Sequence, residues 1–187
     1  MIPIKNRKKT LEVTVEEMRN LSFSYLEKFS PSKQQLKTYL LKKYLKYSNP
    51  KKKKQEIIHI IDVVLLDLEK TKFISDKFYS ESKAKNLIQK GSSINKIRNY
   101  LISKGISNKY VKETINQINE NNENQDFFSA IKVCKKKRIW PSRPDDNRPL
   151  FYKKDISILA RNGFDFETSK KVMDLEKSEF LKIINLL

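Results

Sequence analysis

The chain has 187 residues, with one His, one Cys, three Gly, six Pro and a formal charge of +18 from 40 Lys and Arg against 22 Asp and Glu. So few Gly and Pro leave little material for sheet corners or loop-built enzyme sites, and a hydrophobic share of 38% suits a thin, extended core better than a thick globule. A single Cys excludes an intramolecular disulfide and fits a reducing cytoplasm, and the charge excess points to a polyanionic partner, either nucleic acid or a membrane surface. A bias toward Lys, Asn and Ile would explain Lys over Arg, but not basic over acidic. The basic start, Met1 to Lys9, has no apolar stretch behind it and does not read as a signal peptide. The most apolar stretch, Ile57 to Leu68, is interrupted by His59, Asp62 and Asp67 and is too short to span a bilayer.

Residues 1–13 read as a flexible basic arm. Thr14 can cap a helix, with Glu17 closing a capping box, and Met18, Leu21, Tyr25 and Phe29 follow at helical spacing. Ser30-Pro31 is expected to start the next helix, with Leu36, Tyr39, Leu40 and Leu45 as its apolar face and Asn49-Pro50 as its end. A third helix begins near Lys52 and carries Ile57, Ile61, Val64, Leu65 and Leu68. Ser75 caps the next, which Gly91 stops; Ser92 or Ser93 restarts the chain toward Gly105; Ser107 opens a helix with Val111, Ile115 and Ile118 inward. Asn119 to Asp126 reads as a linker or a frayed helix end. Phe127, Ile131 and Cys134 then lie on a helix ending in Lys135-Lys136-Lys137-Arg138, followed by a Pro-rich loop over 140–149. Ile156, Leu159 and Ala160 lead to Gly163, Asp165 caps a helix with Val172 and Met173, and Ser178 begins a last short segment.

A phrase recurs along this order. Leu101 stands four residues before Gly105, Leu159 four before Gly163, and Leu40 four before Tyr44, so the leucines lie 61 and 58 residues apart. No segment alternates as a strand does. The fold class expected is all-α: three tandem three-helix repeats, over 14–72, 73–121 and 122–187, stacked into an elongated, curved solenoid.

These residues resemble the RecX family, the bacterial regulators of the RecA recombinase. Phe73-Ile74-Ser75-Asp76 with Tyr79 resembles the entry to the family's middle repeat, and Gly91, Ile97-Arg98, Leu101 and Lys104-Gly105-Ile106 resemble its core phrase. Lys135 to Arg138, Pro141 to Pro149, and Lys154-Asp155 with Leu159 to Phe164 resemble its last repeat. Tyr25-Leu26 with Ser32, Leu36, Leu40 and Leu41 resembles the first. The likeness covers about residues 16–175. Tyr44 replaces a usual Gly, Ser75 a usual Asp, and Lys many a usual Arg, whose bidentate fork it lacks. The resemblance implies a protein that lodges in the groove of a RecA–single-stranded-DNA filament, inhibits strand exchange and ATP hydrolysis, and promotes disassembly.

Four basic clusters are candidates for contact with RecA or DNA: Lys51 to Lys54; Lys90 with Arg98 and Lys104; Lys135, Lys136, Lys137 and Arg138; and Arg143 with Arg148, Lys153, Lys154 and Arg161. The first reads as a solvated face and the last as contact, with Arg concentrated beside an irregular loop. Arg98 reads equally as a structural ion-pair partner. Trp140 reads as pinning its loop, the alternative being a base stack, and tyrosines such as Tyr39, Tyr44 and Tyr100 read as core. His59 has no partner at ligand spacing, Cys134 sits on an apolar face, and Asp145-Asp146 lacks further ligands, so no enzyme, metal or cofactor is expected. The expected partners are the RecA filament and single-stranded DNA, with no membrane, acting as a cytoplasmic monomer. The alternatives are a stand-alone, sequence-nonspecific nucleic-acid binder and a helical scaffold whose charge serves only solubility.

Overall fold

A computed structural model describes residues 10–49 and 53–186. Among these the fold is all-α: ten α-helices and one short 3-10 turn, with no strand beyond a single Leu11–Ser48 bridge. The chain divides into two compact units. One holds residues up to Tyr79 together with Lys104–Ile106, the other 80–103 and 107–187.

The first unit contains α1 (Val15–Leu26), α2 (Lys33–Tyr47), α3 (Lys54–Lys70) and the start of α4 (Asp76–Gln89). Thr14 caps α1 as expected, its hydroxyl accepting from Glu17 N. The Glu17 carboxylate, however, takes the amide of Glu12, so the box does not close on Thr14. The second helix starts two residues later than Ser30-Pro31 suggests. Ser32 accepts from Gln35 N at 3.2 Å while Gln35 Oε1 accepts from Ser32 N at 3.0 Å. A reciprocal box needs a Gln or Glu three residues on, and Ser32 has Gln35 where Ser30 has Lys33.

Met18, Leu36, Leu40, Tyr44, Ile57, Ile61, Val64, Leu65, Leu68 and Ile74 form this unit's core. Leu36, Leu40 and Tyr44 recur every four residues on one stripe of α2, which turns Leu45 out to 51% exposure. Phe29, beyond the end of α1, is also outside. Residues 10–13 are not loose: Leu11 N donates to Tyr47 O at 2.8 Å, and Leu11 and Val13 pack on the core. Residues 1–9 of the expected arm, and Lys51 and Lys52, lie outside the described residues.

The second unit contains the rest of α4, then α5 (Ile94–Ser103), α6 (Asn108–Asn121), α7 (Gln125–Lys137), a 3-10 turn (Asp145–Asn147), α8 (Arg148–Arg161), α9 (Phe166–Met173) and α10 (Lys177–Leu186). Of the stretch 119–126, residues 119–121 form the end of α6 and only three residues link it to α7, because Asp126 joins the first turn of α7, where a carboxylate meets the helix's positive end. The core cluster here comes from α7 to α10: Ala130, Ile131, Val133, Cys134, Ile139, Leu159, Phe164, Val172, Met173 and Phe180.

One local arrangement occurs twice. Ser32, the cap of α2, donates its hydroxyl to Lys104 O at 2.6 Å, and Lys33 N donates to Asp76 Oδ1 at 2.8 Å. Ser93, just before α5, donates to Asn162 O at 2.8 Å, and Ile94 N donates to Asp126 Oδ1 at 2.7 Å. In both, the accepting carbonyl precedes a left-handed glycine, Gly105 at φ +76° and Gly163 at φ +89°. A serine thus caps its own helix and grips the corner that ends a later one, while an aspartate takes the first free amide. Burial pushes both aspartates' pKa up, and the amide hydrogen bond opposes that shift in each.

Candidate polyanion-binding surface

Lys135, Lys136 and Lys137 occupy the last turn of α7, where cations complement the helix's negative end, and Arg138 follows in the left-handed region at φ 51°. All four are exposed. Lys90 joins them. A Cβ on Gly91 would lie 3.0 Å from Lys132 Cβ, so the Lys90–Gly91 corner sits directly on α7. Lys132, one turn before Lys136, therefore belongs to this group. Nothing in the sequence singles it out except the i, i+4 spacing to Lys136. None of Lys90, Lys135, Lys136, Lys137 or Arg138 pairs with a carboxylate among the described residues.

A second group surrounds the Asn162–Gly163 corner. Asn95 Nδ2 donates to Gly163 O at 3.3 Å, and Arg98 Nη1 donates to Asn95 Oδ1 at 3.1 Å. Arg98 thus leans on a neutral amide and keeps its charge outward. Arg161 is exposed beside this corner, as is Lys96. Lys153 and Lys154 are exposed on the first half of α8, with Lys154 Nζ 5.6 Å from the Phe151 ring centroid. Lys104 belongs to the first unit, where its carbonyl serves the Ser32 clasp.

Arg143 and Arg148 are both engaged within the fold. Asp155 is fully buried on α8 and accepts from Arg143 Nε at 2.6 Å and Nη2 at 2.8 Å, and from Trp140 N at 3.0 Å. The hydrogen bond to Asp155 raises the Arg143 pKa further above its already high value. Arg148 is itself buried and donates to the carbonyls of Pro141 and Arg143. It lies 5.2 Å from the Trp140 ring, which meets Tyr152 edge-on at 5.9 Å. A planar fork with several donors is what a buried carboxylate and a proline-rich loop's free carbonyls require, and Lys could not supply it. This explains why Arg is concentrated here. Trp140 is half-buried and pins the loop as expected.

His59 is exposed and Cys134 is buried, its thiol pushed up to about 12 by burial and secondarily by the Asp155 charge. No group of three metal-ligating side chains occurs among the described residues, and no helix among them is long and apolar enough to cross a membrane.

No protein-family model matches the chain. It is 26% identical over 175 residues to the regulatory protein RecX of Myxococcus xanthus (strain DK1622), covering 89% of each. It is 27% identical over 117 residues to that of Agrobacterium fabrum (strain C58 / ATCC 33970), covering 61% of this chain and 59% of that one. Two crystal structures share its fold. One is of a regulatory protein RecX (TM-score 0.61, 18% identity, 86% of this chain and 74% of that one); the other is of RecX from Lactobacillus salivarius (TM-score 0.61, 15% identity, 92% and 97%). These relationships support assignment of the chain to the RecX family. Two of its departures from the RecX phrases have local explanations. Ser75 does the capping work of an Asp, accepting from Phe78 N at 3.2 Å. Tyr44, at the position of a Gly, is buried inside α2, so no left-handed turn is needed there.

Proposed function

We propose that this protein, as a RecX-type regulator, binds a RecA filament on single-stranded DNA and inhibits its strand exchange and ATP hydrolysis. Its relationship to proteins named as regulatory RecX carries the reading, and the exposed cations of α7, α8 and the two corners support it. Lys90, Lys135, Lys136, Lys137 and Arg138 form one contact group; Arg98, Lys153, Lys154 and Arg161 form another; Lys104 adds a third point. Arg143 and Arg148 hold the loop behind them. The chain works as three repeats over 14–72, 73–121 and 122–187, with the two serine clasps as joints between them. It acts as a cytoplasmic monomer without a catalytic step, and its effect on recombination and repair follows from holding the filament in a state unable to pair with duplex.

The test is RecA ATP hydrolysis on single-stranded DNA with this protein titrated in at moderate salt. Inhibition well below one molecule per RecA is the expected result. Inhibition only when the DNA is saturated would make it a competitor for the strand. None at equimolar protein would remove the RecA role.

A further inference from the structure

The first unit carries a surface that the basic groups above do not use. Tyr25 and Tyr39 stack with ring centroids 4.0 Å apart and planes 18° apart, and Phe29 leans on Tyr25 at 4.9 Å. Tyr39, Lys43 and Tyr47 recur every four residues on α2 and so share one face. The Lys43 and Lys46 ammonium groups lie 5.6 and 5.3 Å from the Tyr47 ring centroid. This helix has five lysines and no acidic residue. Lys33 and Lys37 are bound to Glu69 and Asp62, while Lys42, Lys43 and Lys46 meet no carboxylate among the described residues.

Core packing accounts for part of this row, since Tyr25 and Tyr39 pack on the first unit's core, but not for its ends at Phe29 and Tyr47. Of the α2 tyrosines only Tyr44 is buried; Tyr39 and Tyr47 are partly open, and Phe29 at the end of the row is 56% exposed. Aromatic rings flanked by uncompensated lysines suit a ligand with both π faces and regularly spaced phosphates. A duplex hides its base faces in the stack. An acidic peptide would use the lysines and leave the rings idle.

We infer that the row from Phe29 through Tyr25 and Tyr39 to Tyr47, with Lys42, Lys43 and Lys46, is a second contact for single-stranded nucleic acid. Bases stack at its open ends, on Phe29 and Tyr47, and the lysines follow the backbone. The inference deepens the proposed function and rests on it for the strand, yet it can fail separately.

The experiment uses the full chain and a single-stranded oligothymidylate carrying 5-iodouracil. Photocrosslinks are mapped by mass spectrometry, and affinity is read by anisotropy. Crosslinks at Phe29 or Tyr47 are expected. Phe29→Ala, at an exposed position, should weaken binding about tenfold at fixed salt, the scale of one base stack removed. Replacing Lys42, Lys43 and Lys46 together by Gln should flatten the salt dependence. Crosslinks confined to residues 80–187, with Phe29→Ala binding as the parent does, would overturn the inference and leave the proposed function standing. Phe29→Ala that binds the strand normally but no longer inhibits RecA would also overturn it, making the row a protein-facing surface. Crosslinks at Phe29 without any inhibition of RecA would keep the inference and remove the regulatory role.

Discussion

Gly163 shows how much one residue can decide. Its φ of +89° is open to Gly and strained for other residues, and a Cβ there would fall 2.5 Å from Ser93 Oγ, the hydroxyl that grips this corner. Gly163→Ala should therefore cost about 2 kcal/mol, part from the left-handed backbone and part from the displaced serine, as read by urea unfolding. Cys134 gives a pH signature. Its thiol is raised from an ordinary value near 9 to about 12 by burial, so the folded state holds the proton more tightly than the unfolded one. That contribution is fully present below pH 9 and declines as pH rises from 9 toward 12. Thiol reagents should accordingly label the folded protein hardly at all at about pH 8, and labelling should follow the unfolding curve in urea. A labelling rate in native buffer equal to that of the unfolded chain would refute the burial. The glycine could be read from the sequence, since a Gly four residues after Leu159 stops a helix. The serine it meets, 70 residues earlier, could not.

Among the elements, the hydrophobic stripes set which helices form and roughly where, whereas hydrogen-bond partners distant in sequence set where they begin. Ser93 illustrates this. Its hydroxyl accepts from Lys96 N at 3.1 Å, capping α5, and donates to Asn162 O, tying α5 to the end of α8. Ser93→Ala removes both bonds and should destabilise the protein by about 1–2 kcal/mol, with Ser32→Ala similar at the other clasp. Thermal or urea unfolding of the two variants checks this, and a cost near zero would mean that the clasps are incidental. The clasp has no counterpart on α8. In the phrase that aligns Tyr44, Gly105 and Gly163, the place of Ser32 and Ser93 falls on Phe151, inside a helix that begins at Arg148. The local signal at Ser30-Pro31 misled for the same reason that Ser32 succeeds: the start of α2 depends on Gln35 and on a carbonyl 72 residues away.

Across the molecule, charge and burial divide the basic residues into two kinds. The α7 lysines 135–137 are exposed and meet no carboxylate among the described residues, whereas Arg143 is folded onto Asp155, a carboxylate with no exposure at all. Charge reversal should therefore give opposite phenotypes. Lys135→Glu, Lys136→Glu and Lys137→Glu together should weaken binding to single strands and cost only about 1–2 kcal/mol of stability, from like charge at the helix's negative end. The slope of log affinity against log salt should fall by about 0.7 for each phosphate of the single strand that is no longer neutralised. Arg143→Glu should lower stability by about 3 kcal/mol or more, because it leaves the buried Asp155 facing a like charge. Equal effects of the two changes on both stability and binding would contradict this division.

The sequence by itself determined the all-α class, most helix positions, the basic excess and the recurring Leu-to-Gly phrase. These are local or compositional properties, written in 3.6-residue periodicity, capping side chains and net charge. Only the tertiary structure decided which arginines hold the Pro-rich loop, that Lys132 and Lys96 stand with the basic groups, that Tyr39 is half-open where Tyr44 is buried, and that two serines grip distant corners. Each of those depends on a partner brought near by folding, and a side chain's role follows from what lies within a few ångströms of it rather than from what lies beside it in the chain.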